Sequence, residues 1–156
     1  MGGNAMEREL YMRQALALAR AAMDAGEVPV GCVIADAVGR IVGTGRNRRE
    51  EAADATAHAE IEAIRAACAA LGTWRLTGCT MFVTLEPCPM CTGAIIMARI
   101  PTLVYGAREA QTGSCGSVID LFAERYGHSP AVYPGVLADE SAALLREFFR
   151  GKRENP

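Results

Sequence analysis

Thr80-Met81-Phe82-Val83-Thr84-Leu85, followed after Glu86 by Pro87-Cys88-Pro89-Met90-Cys91, runs an apolar segment straight into a helix start. The first six residues read as a buried strand. Pro87 suits the first position of a helix reaching Arg99. Working outward, Leu103-Val104-Tyr105 predicts a fourth strand and Ala131-Val132-Tyr133 a fifth. Upstream, Val28 to Ala35 is a continuous apolar run rich in β-branched residues. A turn around Ala37 to Gly39 joins it to a second strand, Arg40 to Gly45. Helices fill the intervals. Glu7 to Ala25 repeats Tyr11, Ala15, Leu18 and Ala22 at steps of four and three before Gly26. Thr56 offers an N-cap for a helix to about Leu71. Asp139 to Arg150 puts Ala142, Leu145 and Phe149 on one side. Strands alternating with helices predict a three-layer α/β domain spanning residues 1–156.

The 156 residues suit one domain with a sizeable core, and 51% are hydrophobic. A formal net charge of −2 argues against a broadly basic, general nucleic-acid coat. It leaves room for a local basic patch. Six cysteines would suggest disulfides in a short secreted chain. The opening residues carry neither a basic region nor an apolar signal core, and no apolar run is long enough for a membrane span. A reducing cytoplasm with free or metal-bound thiols is therefore expected.

Cys88 and Cys91 stand at i and i+3 of a helix start, where both thiols face one point. Partial positive charge at a helix N-terminus favours the thiolate, the form that binds zinc. His58-Ala59-Glu60 opens another helix, so two N-termini can converge on one metal. His58, Cys88 and Cys91 make three protein ligands, leaving the fourth position of a catalytic zinc to water. Glu60 is then free to accept a proton from that water and pass it on to the reacting group. A Cys-x-x-Cys redox pair competes with this reading but leaves His58-Ala59-Glu60 without a role. A structural zinc needs a fourth ligand, for which Cys32, Cys79, Cys115 and His128 are the candidates.

The spacing matches the H-x-E and P-C-x-x-C signature already known for zinc nucleobase deaminases. From about Leu10 to Arg150 the chain resembles the bacterial tRNA adenosine deaminases of the cytidine deaminase-like superfamily. The resemblance rests on Val28-Pro29-Val30-Gly31, Gly45-Arg46-Asn47-Arg48, Asp54 to Glu60 and Leu85 to Ala94. Tyr105-Gly106-Ala107-Arg108, Gly135 to Glu140 and Leu145 to Arg150 point to the tRNA branch. It implies an α/β/α fold with a mixed five-stranded sheet and one zinc per subunit. It also implies a homodimer with its active site near the subunit interface. The implied reaction converts adenosine to inosine at the wobble position of an arginine tRNA, with the target base flipped out of the anticodon loop.

Catalysis then falls to Glu60, and substrate contacts to Asn47, Val28, Val30, Arg108, Glu109 and Phe149. By pattern alone, Asn47 is turn chemistry, Val28 and Val30 are strand core, and Arg108 and Glu109 are a solvated loop. Phe148 and Phe149 would be helix core, as would Met90 and Met97. Arg46, Arg48, Arg49, Arg150, Lys152 and Arg153 are candidates for phosphate contacts. Glu109 stands where the family usually has Asp, Gln111 where Lys is common, and Gly127-His128 where Asn-His is usual. A deaminase of a free base such as guanine or cytosine shares the zinc motif and is the alternative.

Overall fold

A computed structural model describes residues 3–154. Its five strands are β1 (Gly31–Ala35), β2 (Ile41–Arg46), β3 (Thr80–Leu85), β4 (Thr102–Ala107) and β5 (Ala131–Tyr133). They form one sheet in the order β2-β1-β3-β4-β5. β1 runs antiparallel to both neighbours, whereas β3, β4 and β5 are mutually parallel. The expected mixed five-stranded α/β fold is the one observed.

Strand alternation divides the core into two layers. Cys32, Ile34, Met81, Val83, Leu103 and Tyr105 face α2 (Ala59–Leu71) and α3 (Pro89–Ala98). Val33, Ala35, Phe82 and Val104 face α1 (Ala5–Asp24) and α4 (Ala138–Glu154). α2 lies exceptionally close to β2. A Cβ at Gly45 would stand 2.2 Å from the Ala59 carbonyl oxygen, and one at Gly43 would stand 2.4 Å from that of Ala63. Backbone atoms cannot swing aside as side chains do. Gly45→Ala is therefore expected to cost about 3 kcal/mol, the upper end for overpacking, and to lower Tm by roughly 6–12 °C. A melting curve superimposable on the wild type would contradict this close approach.

Several element boundaries differ from the sequence expectation, each for a local reason. α1 begins at Ala5 because the Asn4 side chain accepts from the Glu7 N–H at 2.9 Å. Pro29 offers no N–H to a ladder, and β1 begins at Gly31 rather than Val28. Thr56 does not cap α2: its N–H and hydroxyl both donate to Asp54 Oδ1, at 2.8 and 2.7 Å. His58 occupies the N-cap position instead. Cys88 holds the equivalent place on α3, moving the first helical position from Pro87 to Pro89.

On α4 the buried residues are Ser141 and Leu144, not the Ala142–Leu145–Phe149 side. The Ser141 hydroxyl donates to the Thr84 carbonyl, which sets that face against the sheet. Met97 is 67% exposed rather than core, since Ile95 and Ile96 take the inward positions of α3. A short 3₁₀ turn, Leu121–Ala123, buries Phe122 and was not foreseen.

Candidate metal centre

The site follows from the topology. Because β1 is antiparallel to β2 and β3, the start of β1 and the ends of β2, β3 and β4 meet at one sheet edge. Val28 and Val30 precede β1, Asn47 follows β2, Glu86 to Cys88 follow β3, and Glu109 follows β4. A carboxyl-edge crevice is the usual binding place in open α/β sheets.

α2 and α3 bring their N-termini together there. His58 Nδ1 lies 3.5 Å from Cys88 Sγ and 3.6 Å from Cys91 Sγ. The three ligand atoms are all within 4.8 Å of one another, and among the described residues they form the one such group. Cys32, Cys79, Cys115 and His128 do not join it. His128 Nε2 instead lies 2.7 Å from the Ile100 carbonyl oxygen. All six cysteines are free thiols.

The protonation of this cluster is uneven. A hydrogen bond from the Cys91 thiol, aided by His58 and the Cys91 N–H, pulls the Cys88 thiol down to about 4. The same partnership with Cys88, together with burial and the Glu60 carboxylate, holds the Cys91 thiol protonated. His58 is raised, chiefly by its hydrogen bond to Cys88. One thiolate therefore shares a proton with the next thiol, a proton that a dication would displace. One nitrogen and two sulfur donors suit zinc, and the carboxylate of Glu60 is not among the converging atoms. Burial pushes the Glu60 carboxyl up to about 7. That is the range in which a carboxyl exchanges protons readily at neutral pH.

The cluster opens into a cavity of about 270 Å³. Val28, Val30, Asn47, His58, Glu60, Cys88, Glu109 and Phe149 all line it. Of the residues expected at the site, Cys91 lies beneath the lining, fully buried. Arg108 does not line the cavity; its Nη1 donates to the Tyr105 hydroxyl at 3.3 Å. Asn47 serves the turn as well as the cavity. Its Oδ1 accepts from the Arg49 N–H at 3.1 Å, and its Nδ2 donates to the Val28 carbonyl at 3.3 Å. Phe149 is 46% exposed, edge-on to Phe148. Arg46 and Arg48 both pair with Glu51. A larger depression, about 900 Å³, lies along α1 and the β1–β2 turn and contains none of these groups.

Sequence reading missed two carboxylates. Glu27 is buried and accepts from the Glu50 and Glu51 N–H groups at 3.1 and 2.6 Å, which holds the loop that carries Asn47 and Arg49. Glu86, also buried, receives donors from the loop after β4. An acid set directly against an apolar stretch, as in Glu27-Val28-Pro29-Val30 and Leu85-Glu86-Pro87, was the available signal.

Residues 6–107 match the model of the cytidine and deoxycytidylate deaminase zinc-binding region. The chain belongs to this zinc-binding deaminase family, in its tRNA adenosine deaminase-like branch. It is 47% identical to the tRNA-specific adenosine deaminase of Agrobacterium fabrum, over 94% of this chain and 97% of that one. It is also 52% identical to a tRNA(Ile)-lysidine synthase of Deinococcus deserti, over 92% of this chain. There it spans only 27% of the relative's length, about a quarter, as it does in the Deinococcus radiodurans relative. Among solved structures, one from work on A-to-I editing by tRNA:A34 deaminases superposes with a TM-score of 0.83. That pair shares 46% identity over 86% of this chain and 98% of the other. The guanine deaminase of Nitrosomonas europaea superposes at 0.79 with 29% identity, covering 90% of this chain and 83% of that one.

Proposed function

We propose that the chain is a zinc hydrolase that converts adenosine to inosine at the wobble position of a tRNA anticodon, an arginine tRNA by the family resemblance. The observation that carries this reading is one cavity in which Glu60, His58 and Cys88, backed by the buried Cys91, share a wall with Val28, Val30, Asn47 and Phe149. His58, Cys88 and Cys91 would hold one zinc ion per subunit, which would make a bound water a nucleophile at neutral pH. Glu60 would take one proton of the attacking water to the adenine ring nitrogen, then carry the second, from the new hydroxyl, to the amine, which departs as ammonia. Val28 and Val30 form the apolar wall beside the base, and Asn47 hydrogen-bonds the ring. Phe149 meets a neighbouring anticodon nucleotide. Glu109, in the cavity wall, and Arg108, outside it, line the RNA channel. The cavity's small volume suits one flipped base, and flipping costs least in an unpaired loop.

The tRNA-specific adenosine deaminase relative stands at 47% identity, whereas the guanine deaminases stand at 29% and 32%. The second reading, deamination of a free base, has the same donor set and fold in its favour. No helix among the described residues is long and apolar enough to cross a membrane. The proposed setting is the cytoplasm, where tRNA is available. The proposed assembly is a homodimer by the family resemblance, and Met97, Val118 and Ile119 are exposed apolar residues that a partner could cover. Incubation with total tRNA, followed by sequencing, tests the proposal: adenosine-to-inosine changes are expected at wobble positions. Unchanged tRNA would remove it.

A further inference from the structure

We infer that Glu86 is a positioning residue for the substrate cavity, acting through the loop that carries Glu109 and Thr112. This inference rests on the cavity being the substrate site. Glu86 is 2% exposed, one residue beyond β3 and two before Cys88. Its Oε1 accepts from the Glu109 N–H at 3.1 Å and from the Ser117 hydroxyl. Its Oε2 accepts from the N–H groups of Cys115 and Ser117, each at 3.1 Å. Four donors from a single loop thus converge on one carboxylate. Such charge-assisted bonds are about twice as strong as neutral ones.

A second observation points the same way. The loop wraps the carboxylate so tightly that a Cβ at Gly113 would lie 2.5 Å from Glu86 Oε2 and 2.4 Å from the Glu109 carbonyl oxygen. Glu109 and Thr112, on the wrapped segment, are both part of the cavity wall. The Ser114 N–H also donates to the Pro87 carbonyl at 2.9 Å, beside the metal-ligand arm. A loop rich in glycine and serine would otherwise sample many conformations. Glu86 removes that freedom before substrate arrives, so its contribution falls on substrate binding. The candidate zinc donors lie at the N-termini of α2 and α3, outside this loop.

The test uses the zinc-loaded chain and two variants. In Glu86→Gln an amide NH₂ faces at least one backbone N–H whichever way the side chain turns. Ser117→Ala removes one side-chain donor to Glu86 and leaves the backbone donors in place. With an anticodon stem-loop RNA as the probe, Glu86→Gln is expected to raise KM by roughly 10–100-fold with a smaller change in kcat. Zinc content should stay at the wild-type level. Kd for the same RNA, measured with Glu60→Gln also present, should rise in parallel. Amide hydrogen exchange across residues 109–118 should accelerate, and Ser117→Ala should move KM and exchange in the same direction by less. Unchanged exchange in that segment, or an unchanged KM alongside lost zinc, would overturn the inference and leave Glu86 a support of fold or metal alone. If the wild-type chain neither binds nor deaminates the RNA, the substrate reading fails and with it the positioning role.

Discussion

Glu60→Gln is expected to lower deamination on the order of 10³–10⁴-fold while the zinc content remains that of the wild type. The side chain is 4% exposed and lines the cavity, and it is not one of the three converging ligands. Glutamine keeps the size of the carboxylate and cannot take a proton. The metal donors are untouched, and so are Val28, Val30 and Asn47. Binding of RNA should therefore change little, and the loss should fall on kcat. Zinc analysis alongside single-turnover kinetics checks both halves. Near-normal turnover in this variant would remove Glu60 from the proton path.

Cys91→Ala is expected to abolish both metal binding and activity. Two sulfurs face His58 Nδ1 at 3.5 and 3.6 Å, and removing one leaves a two-ligand site. Catalytic zinc ordinarily needs three protein ligands. Metal that binds only the folded state also stabilises it. Chelation should thus lower the Tm of the wild type and leave that of Cys91→Ala unmoved. A variant that keeps full zinc would show that Cys91 is not a ligand. The redox alternative makes the opposite forecast for the wild type: a reversible Cys88–Cys91 disulfide and no metal-dependent shift in Tm.

The layers of the fold were legible because strands such as Thr80–Leu85 announce themselves as β-branched runs bounded by breakers. Helix starts were harder to place. Thr56 is a good cap in isolation, but Asp54 captures its hydroxyl and amide, and the helix opens at Ala59. The buried face of α4 was misread by one residue because the Ser141-to-Thr84 bond, spanning 57 positions, decides it. The metal donors were legible since few residue types bind zinc and their spacing puts them on helix N-termini. Glu27 and Glu86 were not. Their partners lie 23–24 and 23–31 residues away, and each reads locally as a loop acid. Asn47 illustrates the middle case, since turn and cavity both claim the same side chain.

The substrate assignment is decided most directly by a paired assay on the zinc-loaded chain. An anticodon stem-loop RNA with adenosine at the wobble position is compared with free guanine and free cytosine, reading inosine and ammonia. Inosine at that one position, and no ammonia from either free base, is the expected result. Ammonia from guanine or cytosine, with the RNA left unchanged, would contradict it.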